Sequence, residues 1–112
     1  MKIAVSSVGK NLSDNISDVF GRCEYFLIIT IENKKITNTE VMENLSIQKT
    51  TGAGISAAQA VAGKDVAAII SNNLGPRAKD VLNQFSIDMY QASGKVEEVI
   101  QDFIEGKLNK IT

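Results

Sequence analysis

The stretch Val66-Ala67-Ala68-Ile69-Ile70, followed by Ser71-Asn72-Asn73-Leu74-Gly75-Pro76, decides the fold. Five consecutive apolar residues bounded by turn formers present no polar face to water. Such a run is expected of a central parallel strand covered on both sides. Pro76 then sits where a helix starts, because the N–H it lacks is one that a first helical residue leaves unpaired anyway. From there Ala78, Val81, Leu82 and Phe85 recur at i, i+3, i+4, i+7 and predict a helix with these four on its apolar face. Ile87 to Tyr90 reads as a short strand. Val96, Val99, Ile100, Phe103 and Ile104 carry a last helix, and Gly106 ends it.

Upstream of the deciding strand, Gly52-Ala53-Gly54 opens a helix from Ile55 to Ala62 whose alanines allow close approach to a sheet. Tyr25 to Ile31 is the strongest strand pattern, rich in aromatic and β-branched residues. After the turn Glu32-Asn33-Lys34-Lys35, the more polar run Ile36 to Met42 returns as a strand at a sheet edge, so the two form a hairpin. Ile3 to Val5 is a buried strand entering a loop at Ser6-Ser7-Val8-Gly9. Lys10 to Arg22 reads as a long polar loop of the kind that carries function, and Glu43 to Thr51 as a polar linker.

Three strands followed by alternating helix and strand imply a meander joined to right-handed parallel crossovers. The predicted fold is α/β and ribonuclease H-like. It has a five-stranded mixed sheet in the order 3-2-1-4-5, strand 2 alone antiparallel, and helices on both faces. The 112 residues form a single domain, 1–112, with an ordinary globular composition, 44% hydrophobic and 22% charged.

Composition also removes whole classes of function. Twelve basic residues balance thirteen acidic ones, so the basic footprint of a nucleic-acid binder is missing. Cys23 is the single cysteine and histidine is absent, which excludes an internal disulfide, Ser-His-Asp triads and histidine metal sites. No apolar run approaches the length of a membrane span, and the chain starts directly in a strand pattern, so the expectation is a cytoplasmic protein without a membrane partner. Nuclease chemistry on such a sheet needs clustered carboxylates on the central strands, where this chain offers Ala4, Ser6, Ser71 and Asn72. With no paired carboxylates and no activated nucleophile either, the expectation is a protein that is not an enzyme.

The predicted topology brings the C-terminal ends of strands 1, 3, 4 and 5 to one sheet edge, beside the switch point where open α/β sheets bind ligands. Cys23, Gly52, Gly54, Asn72, Asn73, Gly75 and all three helix N-termini gather there. Arg22, Lys49 and Arg77 add positive charge, so the expected ligand is an anion. Each element also has a plainer reading. Gly52 and Gly54 fit a turn and a close helix contact, Gly75 a helix start, and Cys23 a buried small hydrophobe.

Several stretches, in order along nearly the whole chain, resemble the dinitrogenase iron–molybdenum cofactor-binding domain family. They are Met1 to Ser7, Val19-Phe20-Gly21-Arg22-Cys23 with Tyr25-Phe26, Gly52-Ala53-Gly54 with the following helix, Ser71 to Ala78, and Gly94-Lys95-Val96-Glu97-Glu98. The chain departs from the family pattern at Val19 and Thr51, where members often carry histidine, and at Lys95, where many have threonine. The resemblance implies a non-catalytic binding or carrier protein for an iron–molybdenum or iron–sulfur type metallocluster. A preassembled anionic cluster would need only an anchoring thiolate, Cys23, plus backbone donors, and a donor or acceptor protein as partner. The alternatives are a module for a small anionic ligand, or a metal-free adaptor that docks a protein along Ile36 to Met42.

Overall fold

The computed structural model describes residues 1–111. The elements run β1 (Lys2–Ser7), β2 (Tyr25–Glu32), β3 (Lys35–Glu43), a 3₁₀ turn (Leu45–Gln48), α1 (Ala53–Ala62), β4 (Ala68–Ser71), α2 (Pro76–Gln84), β5 (Asp88–Gln91), α3 (Val96–Ile104) and β6 (Lys110–Ile111). All strands join one mixed sheet in the order β3-β2-β1-β4-β5-β6. β1 pairs parallel with β4, and β4 with β5, while β2 runs antiparallel to both β1 and β3.

The expected order is therefore present, but the sheet has six strands rather than five. β6 adds a second antiparallel strand through Met89↔Ile111 and Tyr90↔Lys110. A two-residue strand has no period to read in the sequence. Its pairing is set by β5 and by a 3.0 Å ion pair from Lys110 to Asp88.

Period-2 alternation divides the sheet into two cores. Ala4, Phe26, Ile28, Ile69 and Met89 face α1 and α2. Ile3, Val5, Leu27, Ile29 and Ile70 face α3. β4 is buried at every residue, as its apolar run requires. The expected strand began too early, because Ala67 lies outside it and is exposed.

Phe85 departs from the expected apolar face and stands 57% exposed. The helix stops at Gln84 and Ser86 takes a left-handed φ of 57°, so the chain turns and Ile87 enters the core in its place. Among the described residues, no helix is long and apolar enough to cross a membrane.

The long segment from Lys10 to Arg22 forms no helix, yet it is pinned at several points. Isolated bridges tie Ser7 to Ile16, Asn15 to Lys95 and Val19 to Asn73. Phe20 N–H donates to the Asn73 carbonyl at 3.0 Å, and Asn73 Nδ2 donates to the Asp18 carbonyl at 2.7 Å. The loop is thereby drawn against the chain leaving β4.

Candidate functional site

Two helix N-termini meet at a cavity of about 500 Å³. α1 begins after Gly52, whose φ of 72° is left-handed and open to glycine at little cost. α2 begins after Gly75, with Pro76 in its first turn. Neither helix has a side-chain cap. The first N–H groups of a helix have no intrahelical partner, so those of Ala53, Gly54 and Ile55, and of Arg77 and Ala78, are left as donors. The two macrodipoles add partial positive charge at the same place.

The floor is made by a close backbone crossing. A Cβ built on Gly21 would lie 2.9 Å from both Cα and N of Gly54, so only glycine lets the two segments approach this closely. Val19, Phe20, Ile55 and Pro76 give the cavity apolar walls. Arg22 and Arg77 also line it. Arg22 Nη1 donates to the carbonyls of Ile47 at 2.9 Å and Lys49 at 2.6 Å, which fixes the approach to α1 and leaves other N–H groups of the fork unused. Among the described residues lining the cavity there is no carboxylate, thiol or imidazole.

Of the expected site residues, Arg22, Gly52, Gly54, Gly75 and Arg77 come together here. Asn72 and Asn73 do not line the cavity, and Asn73 instead holds the Lys10–Arg22 loop. The third helix N-terminus does not contribute either. Val96 and Glu97 N–H donate to the carbonyls of Asp14 and Leu12, both at 2.9 Å, so α3 is capped by the loop on the opposite face of the sheet.

Cys23 requires the largest correction. It is 1% exposed and packs in the core that faces α1 and α2. Burial pushes its thiol up to about 12, the largest cause being loss of hydration of the thiolate, against hydrogen bonds from Ser7 and Asn44 that favour it. A neutral, enclosed thiol cannot serve as the exposed thiolate anchor that the sequence suggested. Among the described residues there is also no group of three or more His, Cys, Asp or Glu able to hold a metal ion.

Sequence reasoning passed over Asn44, which supports the site from below. Its buried Nδ2 donates to the carbonyls of Gly21 (3.2 Å) and Cys23 (2.8 Å), and its Oδ1 accepts from Ser46 N–H at 3.1 Å. The signal available was only an asparagine at the end of a strand. Val19 and Thr51, the two positions of the missing histidines, both line the cavity.

The family profile described as dinitrogenase iron-molybdenum cofactor matches residues 1–106. The chain belongs to this family. An uncharacterized Methanocaldococcus jannaschii protein, MJ0580, is 39% identical over 112 residues, covering 98% of this chain and 95% of its own. The apo form of the orange protein from Desulfovibrio gigas superposes with a TM-score of 0.91 at 27% identity, over 99% of this chain and 92% of that one. The NMR structure of TM1290 from Thermotoga gives a TM-score of 0.82 at 37% identity, over 97% and 91% of the two chains. The dinitrogenase cofactor family thus shares with this chain an α/β architecture with a mixed sheet.

Proposed function

We propose that this protein is a non-catalytic carrier for an anionic metallocluster of the iron–molybdenum or iron–sulfur type, held as cargo between the N-termini of α1 and α2. The observation that carries the reading is the pair of uncapped helix N-termini opening with Arg22 and Arg77 on a cavity free of carboxylates. Membership of the dinitrogenase cofactor family and the likeness to an apo form of the orange protein support the choice of a cluster. The sheet order β3-β2-β1-β4-β5 supports a ribonuclease H-like arrangement.

The donor set defines what kind of cluster fits. A cluster ligated by one chain normally needs about four cysteine thiolates. Here the cavity supplies backbone N–H groups, guanidinium and apolar surface. It suits a preassembled cluster whose own ligands complete its metal sites and whose outer atoms accept hydrogen bonds. Cys23 takes no part.

The test is an anaerobic titration with isolated iron–molybdenum cofactor or an iron–sulfur precursor, following visible absorbance and metal retained through gel filtration. Stoichiometric metal is expected with the wild-type chain and with Cys23→Ala, and loss of retention with Arg77→Glu. A colourless, metal-free wild-type protein after the column overturns the reading. The lack of metal-ligating side chains favours one alternative, a small metal-free anion in the same cavity. A panel of phosphorylated and carboxylated metabolites, scored by shifts in Tm, would then show it.

A further inference from the structure

Between the turn that follows β3 and the start of α1, the chain crosses residues 47–51, and every one of them is exposed. Both ends of this crossing are held. Before it, Asn44 is buried and donates to the Gly21 and Cys23 carbonyls, and buried Ser46 donates through Oγ to Ser56 Oγ on α1 at 2.7 Å. After it, the chain turns at Gly52 and Ala53 is buried as α1 begins. The segment is a strap anchored at two points.

A segment with no buried residue has little besides hydrogen bonds to set against the conformational entropy of being held. Ile47 and Lys49 N–H donate only to the carbonyls of Asn44 and Ser46, within the turn itself. Among the described residues, the hydrogen bonds that reach the strap from farther away are both from Arg22. Its Nη1 donates to the Ile47 carbonyl at 2.9 Å and the Lys49 carbonyl at 2.6 Å. Both N–H groups of that nitrogen are spent there, and a charged donor makes each bond stronger than a neutral one.

The strap also builds the cavity. Thr50 and Thr51 line it, together with Gly52 where the strap joins α1. Lifting the strap removes that wall and leaves the two helix N-termini in place. We propose that residues 47–51 open and close one wall of the cavity, and that Arg22 is the clasp, a positioning residue that acts on the cargo through the strap. What the wall encloses rests on the carrier reading above. Cargo seated against Thr50, Thr51 and Gly52 makes those contacts only when the strap is closed, so its binding draws the strap shut. By linkage, a clasped strap binds the cargo more tightly to the same degree.

Amide hydrogen exchange reads the strap directly, because the Lys49 N–H donates to the Ser46 carbonyl at 3.0 Å and is released when the strap opens. In the empty protein, Arg22→Ala should speed exchange at Lys49 by about tenfold, through the loss of two charge-assisted bonds. Arg22 is exposed, so its truncation leaves the core intact, and unchanged exchange in buried β4 shows that the fold is not loosened as a whole. A residue that met only the cargo would leave the empty strap as it was, so equal Lys49 rates in the two proteins overturn the clasp. Isolated iron–molybdenum cofactor, added anaerobically in excess, should slow exchange at Lys49 in the wild type by about tenfold or more. Metal retained through gel filtration is measured on the same samples. Retained metal with unchanged Lys49 exchange overturns the coupling and leaves the carrier reading standing. No retained metal overturns the carrier reading and the coupling with it, while the clasp is still decided by the empty protein.

Discussion

Cys23 is held protonated by its surroundings, and this has a consequence for stability at high pH. Its thiol rises from 9.0 to about 12 in the folded chain, chiefly because burial strips water from the charged form. Between those values the unfolded chain has released the proton and the folded chain retains it. The contribution is complete below pH 9 and is lost progressively as pH rises toward 12, at up to about 1.4 kcal/mol per pH unit. The urea midpoint of the wild type is expected to fall more steeply from pH 9 to pH 11 than that of Cys23→Ala. Parallel curves for the two proteins would show that Cys23 stays hydrated. The flanking residues gave partial warning of this burial, since Cys23 lies between Phe20 and Phe26, whose rings pack 5.1 Å apart. What the sequence did not disclose is Asn44, which closes the space above the thiol from twenty-one positions away.

At the scale of elements, the two helices that form the site have forgone an ordinary source of stability. Ser, Thr, Asn or Asp at an N-cap satisfies an orphan N–H, yet α1 and α2 have glycine there and no side-chain bond. A Cβ at Gly75 would meet nothing within 4 Å, and the φ of −69° suits any residue. Gly75→Asp should therefore be accommodated and should cap α2, raising stability by a few tenths to about 1 kcal/mol. The same carboxylate would occupy the donors and repel an anion at the cavity. The expected result is a higher urea midpoint together with loss of cluster retention. If retention survives in a stabilised variant, α2 is not part of the binding surface.

Strand order was legible because Val66 to Ile70 and Tyr25 to Ile31 are locally unambiguous. The capping of α3 by Leu12 and Asp14 was not, because it depends on where a loop without periodicity comes to rest. For the same reason the three helix N-termini looked equivalent in the sequence although only two reach the cavity.

The whole molecule carries a formal net charge of −1, so no general attraction draws an anion to it. Affinity must come from a local arrangement, and the molecule is large enough for local and remote charge to be separated. It measures 38 × 27 × 22 Å, whereas charges in physiological salt are screened over about 8 Å. Arg77 lies at the cavity. Lys107 lies just beyond the C-terminal end of α3, on the opposite face of the sheet, where its ammonium pairs with Glu105 at 3.3 Å. Both changes to alanine alter net charge equally. In physiological salt Arg77→Ala should lower affinity for the isolated cofactor by about tenfold or more, since it removes a charge-assisted donor at the ligand. Lys107→Ala should change it by less than about twofold, because screening erases its field before the cavity is reached. Equal losses from the two variants, measured by the same anaerobic titration, would mean that binding follows the field of the whole surface. The cavity between α1 and α2 would then be the wrong place to look for the cargo.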